Sequence, residues 1–328
     1  MTTKDLVLQE LEKNRGIYIS GQDLADKLNI SRTAIWKAVN SLKNEGFIID
    51  SQTKKGYKLD NSSDILSIPG IKEYLIDELK DIDILLYDEI DSTNTEAKRL
   101  LYSKDIKNFT CLVSDYQKNG RGRTGKSFKS YKGTGIYYSI ILKPTKTFDF
   151  SYFDLITVRS AVSVAKAIKK LTGNEVQIKW VNDIFLKGKK VCGILSELDA
   201  DFESKTVSSI IVGIGINLKY PKKIDEEIKD VFGALETDIL RNRIVGTLLN
   251  EFYINYYKKD NDSILDYYKG HSLVLGKVVN YELNGKMKEA LAVDINDKGN
   301  LVVEVDGKKE ILSSGEVSIK GDFLNKNK

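Results

Sequence analysis

Residues 114–142 read SDYQKNGRGRTGKSFKSYKGTGIYYSIIL, a basic glycine-rich loop that runs straight into a strand. Gly120–Ser127 satisfies G-x-x-x-x-G-K-[ST], the P-loop pattern, and its first six residues satisfy G-x-G-x-x-G, the dinucleotide pattern. Both patterns need a helix to open at the loop, because the phosphates sit on that helix's N-terminus. Here Gly133 and Gly135 interrupt any helix, and the β-branched and aromatic run IYYSIIL reads as a strand. No apolar strand ending in a magnesium-binding aspartate follows at the expected place. Both nucleotide folds are excluded. Taken alone, the segment reads either as a mobile surface loop or as an anion-binding loop of another kind. Its glycines permit close backbone approach, and Arg121, Arg123 and Lys126 supply charge for carboxylate or phosphate oxygens. Clustered charge and Gly120, Gly122 and Gly125 suggest a loop that orders over its ligand rather than standing preformed.

Composition narrows the chemistry. The chain of 328 residues, long enough for two or three domains, contains one histidine, His271, and two cysteines, Cys111 and Cys192. That is too little histidine for a zinc site or a Ser-His-Asp triad, and no disulfide framework is possible beyond a single pair. The cysteines lie in apolar runs and read as small buried hydrophobes; His271 reads as structural or surface. Chemistry here must run without histidine acid–base work or a tightly held metal. The net charge of +4 is too slight to argue for nucleic acid by itself. No apolar run is long enough to span a bilayer. The start MTTKDLVLQELEKN lacks an apolar signal core, so a cytoplasmic address is expected.

Three segments follow from the hydrophobic periodicity. In residues 1–63, Leu24, Ala25 and Leu28, then Ile35, Val39 and Leu42, recur at helical spacing around a turn at Asn29-Ile30-Ser31, with Ser31 as a candidate N-cap. This is a helix-turn-helix pattern, and FIIDSQTKKGYKL after Gly46 reads as a wing hairpin with a lysine-rich tip. The second helix offers Ser31, Arg32, Thr33, Trp36, Lys37 and Asn40 to a major groove, with Lys54, Lys55 and Lys58 for phosphates. Residues 1–60 hold 10 Lys/Arg against 8 Asp/Glu, so affinity must come from a local face. Residues 60–67, DNSSDILS, read as a polar linker. From 64 to 270 strands and helices alternate in a mixed α/β pattern, with QIKWVNDIFL read as one strand. From 271 to 328, short strands with Gly and Asp turns suggest a small β-barrel.

Four stretches in order, DEIDSTNTEAK (88–98), SDYQKNGRGRTGKSF (114–128), IKWVNDIFLKGKKVCGILSE (178–197) and VGIGINL (212–218), resemble the biotin–protein ligases of the kind that doubles as a biotin-operon repressor. The resemblance covers nearly the whole chain. It implies an α+β protein with an N-terminal winged helix-turn-helix, a central mixed α/β ligase domain and a C-terminal SH3-like β-barrel. Thr124 stands where the family often has arginine, Lys126 replaces a further arginine, and Val181 replaces the proline of the usual KWPND.

The resemblance also implies a reaction. Biotin's carboxylate attacks the α-phosphate of ATP to give biotinyl-5′-adenylate, which a lysine of a biotin carboxyl carrier protein then attacks. Biotin and ATP are the substrates, with magnesium arriving on ATP. Ser92, Thr93 and Asn94 are expected on biotin's ureido ring and Gln117 beside its carboxylate. Arg121, Gly122 and Arg123 would wrap carboxylate and phosphate, with Lys190 as the charge partner at the reacting centre. Lys179, Asn182, Asp183 and Asn217 would shape the adenylate side, Asp183 also near the incoming lysine. Gly213 and Gly215 would leave room for the ligand. Trp180 reads as core, with stacking on adenine as the alternative. Operator DNA and a ligand-promoted homodimer are the further partners. The competing readings are a biotin-responsive transcription factor with weak or lost ligase activity, and a lipoate–protein ligase.

Overall fold

The computed structural model describes residues 2–103, 105–143, 155–201, 206–283 and 285–319. The chain divides into two compact units, residues 1–81 with 238–250, and 82–237 with 251–328.

In the first unit, α1 (Thr3–Lys13) opens on a capping box between Thr2 and Asp5. Ser20 caps α2 (Gly21–Leu28), and Asn29 ends it in the left-handed region at φ 54°. Ser31 then caps α3 (Arg32–Asn44) by accepting from the Ala34 N–H at 3.2 Å. The wing is the antiparallel hairpin β1 (Ile49–Gln52) and β2 (Gly56–Leu59). Val7, Leu11, Leu24, Ile35, Leu42 and Leu59, all buried, form one core. Apolar periodicity alone carries this much.

The stretch 60–67 is not a loose linker. Ser63 is buried and its hydroxyl accepts from the Ile48 N–H at 3.0 Å. Asp64 takes the Arg241 guanidinium at 3.1 Å, and the Asn242 side chain accepts from the Ser67 N–H at 3.0 Å. Ser67 caps the short helix α4 (Ile68–Glu73). The first unit therefore reaches past residue 63, and it recruits residues 238–250 from the middle of the chain.

The second unit is built on a seven-stranded mixed sheet of β3 (Ile84–Tyr87), β4 (Thr110–Ser114), β5 (Gly135–Leu142), β6 (Gln177–Lys179), β7 (Asp183–Leu186), β8 (Lys189–Asp201) and β9 (Thr206–Asn217). Their order is β3-β4-β5-β9-β8-β7-β6, with β3 and β4 parallel and every other pair antiparallel. Every residue of β5 is buried, so the centre of the sheet is covered on both faces. The helices are α5 (Thr93–Ser103), α6 (Ile156–Thr172) and α8 (Asn261–Gly270); α7 (Arg241–Tyr253) begins within the first unit's share of the chain.

QIKWVNDIFL is a hairpin, not one strand: Lys179 pairs with Asp183, and the peptide between Trp180 and Val181 in the connecting turn is cis. Asn182 and Asp183 interrupt the apolar pattern at this turn. Last comes a five-stranded antiparallel sheet, ordered β13-β12-β11-β10-β14, from β10 (Val278–Leu283), β11 (Lys286–Ile295), β12 (Leu301–Val305), β13 (Lys308–Leu312) and β14 (Val317–Ile319). The Trp180 indole N–H donates to the Gly299 carbonyl at 2.9 Å, fastening the hairpin turn to this sheet. His271 stacks on Tyr267 at 4.0 Å between ring centroids and is structural, as its sequence context suggests. No helix of the described residues is long and apolar enough to cross a membrane.

Candidate active site

A cleft of about 950 Å³ opens in the second unit, and it gathers residues far apart in sequence. Ser92, Thr93 and Asn94 enter from the start of α5, Gln117 and Arg121–Arg123 from the basic loop, and Lys179, Asn182, Asp183 and Lys190 from the hairpin and β8. Gly213 and Gly215 enter from β9. Asn217 does not line it: the side chain is buried and donates to the Gly233 carbonyl at 3.0 Å.

The polar floor is a closed network. Gln117 Oε1 accepts from the Thr93 N–H at 2.8 Å and lies 3.1 Å from the Thr93 hydroxyl. Ser139 of β5 places its hydroxyl 2.7 Å from that of Thr93 and 2.6 Å from Asn94 Oδ1. The Asn94 amide nitrogen donates to Glu197 at 2.9 Å and to the Leu195 carbonyl at 3.3 Å. Both ends of the Asn94 amide are thus held by protein groups, while all three residues of Ser92–Asn94 are buried.

The basic loop is held by hydrogen bonds and ion pairs from within the chain. Its base is stapled where the Phe128 N–H donates to the Gly120 carbonyl at 2.8 Å and the Gln117 N–H to the Ser130 hydroxyl at 2.9 Å. Each cation has a protein partner. Arg121 grips Glu197 at 3.0 and 3.2 Å, Arg123 donates to Asn182 at 3.2 Å, and Lys126 meets Glu316 at 2.5 Å. Mutual repulsion is offset by these acceptors, which lie 59 to 190 residues away and carry no local signal. Thr124 occupies the left-handed region at φ 51°, strained for a β-branched residue.

Lys190 pairs with Asp183 at 2.8 Å between Nζ and Oδ1, and the two side chains are 30% and 21% exposed. This places an ammonium group at the cleft wall with a fixed direction. Asp183 carries this ion pair on Oδ1 and lines the cleft with Lys190.

The glycines do make room, and the room is filled from within the chain. Gly193 and Gly215 are paired across β8 and β9, and the Phe128 ring lies over both. A methyl at Gly215 would come within 2.5 Å of that ring, one at Gly193 within 2.9 Å. A methyl at Gly213 would meet the Asn94 amide at 2.1 Å. Opposite, Asn280, Glu282, Met287 and Glu316 from the small C-terminal sheet form a wall. Burial pushes the Glu316 carboxyl up, but Lys126, Lys179 and Arg123 outweigh it and hold it below the ordinary carboxylate range. Trp180 also reaches the cleft, with its indole N–H committed to Gly299.

In the first unit the α3 surface is as its periodicity implies. Arg32, Thr33 and Lys37 are exposed and Trp36 is 56% exposed, while Ser31 spends its hydroxyl on the cap and Asn40 is half-buried. Lys54 and Lys55 are exposed at the wing tip, and Lys55 and Lys58 lie over the Tyr18 ring. The Tyr18 hydroxyl donates to Asp50, which pushes the phenol up to about 12.

Comparison with known proteins agrees with this layout. Residues 3–58 match an HTH domain, 86–217 the biotin/lipoate A/B protein ligase family, and 274–320 the biotin protein ligase C-terminal domain. The chain is 32% identical to the bifunctional ligase/repressor BirA of Bacillus subtilis (strain 168), over 95% of this chain and 97% of that protein. The chain belongs to the bifunctional biotin–protein ligase/repressor family. The Escherichia coli (strain K12) bifunctional ligase/repressor is 24% identical over 93% of this chain and 94% of its own length. Among solved structures, the biotin protein ligase from Aquifex aeolicus in complex with biotin and ATP superposes with a TM-score of 0.60 at 28% identity, over 73% of this chain and 98% of that one.

Within this ligase/repressor fold, sequence reasoning missed Glu197, Ser139, Phe128 and Glu316. Phe128 had a usable signal, an aromatic residue directly after a glycine-rich basic loop. Glu197 closes the KKVCGILSE block, yet a carboxylate on an apolar strand says only that it has a partner. Among the described residues no group of three or more His, Cys, Asp or Glu could hold a metal ion.

Proposed function

We propose that this chain activates biotin with ATP to biotinyl-5′-AMP, transfers the biotinyl group to a lysine of a biotin carboxyl carrier protein, and represses biotin genes through its helix-turn-helix. The observation that carries the reading is the convergence of Arg121, Arg123 and Lys190 with Ser92, Thr93 and Gln117 on one cleft. In the first step a biotin carboxylate oxygen bonds to the α-phosphorus and pyrophosphate leaves. The carboxylate is already ionised at neutral pH, so the site's task is positioning and charge stabilisation rather than proton removal. Lys190 and the loop arginines supply that charge. Ser92, Thr93 and Gln117 orient biotin, and Asn94 supports them through Ser139 and Glu197. Lys179, Asn182 and Asp183 serve the adenylate side, with magnesium carried in on ATP. In the second step the carrier amine attacks the acyl carbon, AMP leaves and the amine loses a proton.

Residues 1–63 are read as the DNA-binding domain, 64–270 as the catalytic domain and 271–328 as the C-terminal domain. On DNA, α3 reads the major groove and the wing lysines meet phosphates, in a dimer promoted by the adenylate in the cytoplasm. Thermodynamic linkage then requires operator DNA to favour the adenylate-bound dimer by the same coupling energy. A transcription factor without ligase activity is disfavoured by the intact set of three cations in the cleft. Biotin-dependent exchange of pyrophosphate into ATP, followed by labelling of apo-carrier, tests the ligase; sedimentation and operator titration with and without biotinyl-adenylate test the switch. Absence of exchange would leave only the repressor.

A further inference from the structure

Glu197 collects three donors from two elements. Asn94 and Lys98 stand four residues apart on α5, so both face the same way, and they reach the carboxylate at 2.9 and 2.8 Å. From the basic loop, Arg121 contacts both carboxylate oxygens, at 3.0 and 3.2 Å. The Glu197 side chain is only 15% exposed. A two-point grip fixes the plane of a guanidinium and uses two of its five N–H groups, leaving three for other acceptors. One negative charge between Lys98 and Arg121 leaves the corner net positive, so holding the arginine does not abolish its pull on an anion. Through Asn94 the same carboxylate also reaches Ser139 and the polar floor.

We propose that Glu197 is a positioning residue, setting Arg121 in the orientation in which it meets the substrate carboxylate. The inference rests on the ligase reading above. A purely structural role for Glu197 would lower stability without discriminating between substrate binding and turnover. A positioning role acts through Arg121 and disappears when Arg121 is gone.

The test uses the full chain, with biotin and ATP in pyrophosphate exchange, for Glu197→Gln, Glu197→Asp, Arg121→Ala and the pair Glu197→Gln/Arg121→Ala. An amide keeps one acceptor oxygen and no charge, so Glu197→Gln loses the second point of the grip on Arg121 and should raise the KM for biotin roughly tenfold, the size of one lost charge-assisted hydrogen bond. Turnover should also fall, because Arg121 supplies charge at the reacting centre, but by a smaller factor than the KM rises, because Lys190 and Arg123 stay in place. Glu197→Asp should recover part of the loss, and the double variant should be no worse than Arg121→Ala. An unchanged or lowered KM, or the same increment in the Arg121→Ala background, would overturn the proposal. If Glu197→Gln does not fold, Arg121→Lys carries the test: it keeps the charge and loses the two-point grip, and an unchanged KM there is equally fatal. A wild-type chain without biotin-dependent exchange sinks the ligase reading itself and this inference with it, an outcome no variant can mimic.

Discussion

The Lys190 ammonium on β8 and the Asp183 carboxylate on β7 pair at 2.8 Å, and that pairing aims the only lysine of the KGKKVCGI stretch that lines the cleft. Replacing Lys190 by alanine should slow adenylate formation by roughly 10²–10³-fold, the usual loss for a preorganised transition-state charge partner. Lys189 binds the Asp230 carbonyl at 2.6 Å outside the cleft, so Lys189→Ala should be nearly neutral. Single-turnover formation of the adenylate measures both.

The Phe128 ring fills the space above two glycines. Gly215→Ala should push the ring out and cost about 1–3 kcal/mol, as overpacked cores do. Adding Phe128→Ala to that chain should return part of the loss. Urea unfolding of the two single variants and the pair would reveal the coupling; strict additivity would refute the steric account.

Asp64 anchors Arg241 across 177 residues of sequence. Asp64→Ala should lower stability by about 1–2 kcal/mol, a charge-assisted bond discounted for the partial exposure of the carboxylate. A chain that begins at Ile65 loses this partner together with the core formed by Val7, Leu11, Leu24, Ile35, Leu42 and Leu59, so its urea midpoint should fall further than that of Asp64→Ala.

Glu316 supplies the pH dependence. Its carboxyl is held below its unfolded value, so its contribution to stability is complete above the unfolded pKa of about 4.3 and fades as pH falls through the folded one. The gap in urea midpoint between wild type and Glu316→Gln should therefore be present at pH 6 and shrink as the pH falls below about 4. A gap that widened on acidification would contradict the ion pair with Lys126.

Lys54 and Lys55 are exposed at the wing tip. Changing both to alanine should weaken operator binding uniformly across sequences and reduce the slope of log affinity against log salt by about 1–2. Arg32→Ala and Lys37→Ala on α3 should instead alter which sequence is preferred. A filter-binding salt titration separates the two effects.

Much of this molecule is legible in its sequence. The helix-turn-helix followed from apolar spacing at Leu24, Leu28, Ile35, Val39 and Leu42, and the basic loop from glycines that no packed element tolerates. Local rules stop where partners are distant. Nothing near Lys126 announces Glu316, and nothing near Asp64 announces Arg241. The polar run at 60–67 looked like a linker because its polar side chains suit water as well as they suit buried backbone groups. Asn217 ends a glycine-spaced strand and shares a face with Gly213 and Gly215, but its amide is spent on the Gly233 carbonyl, a partner no local rule announces. The hairpin within QIKWVNDIFL is marked only by Asn182 and Asp183, a polar pair that suits a turn but is short enough to pass as the exposed side of one strand.

The wall opposite the glycine strands has a bearing on biosynthesis. Gly299, which receives the Trp180 indole, and Glu316, which receives Lys126, are translated long after the seven-stranded sheet. Domains fold as units while the chain emerges, so a nascent polypeptide can complete its sheet while its reaction chamber still lacks one side. Ribosomes that stall late would release a protein with a sound hydrophobic interior and an open chamber, and quality control that senses only unfolding would pass it.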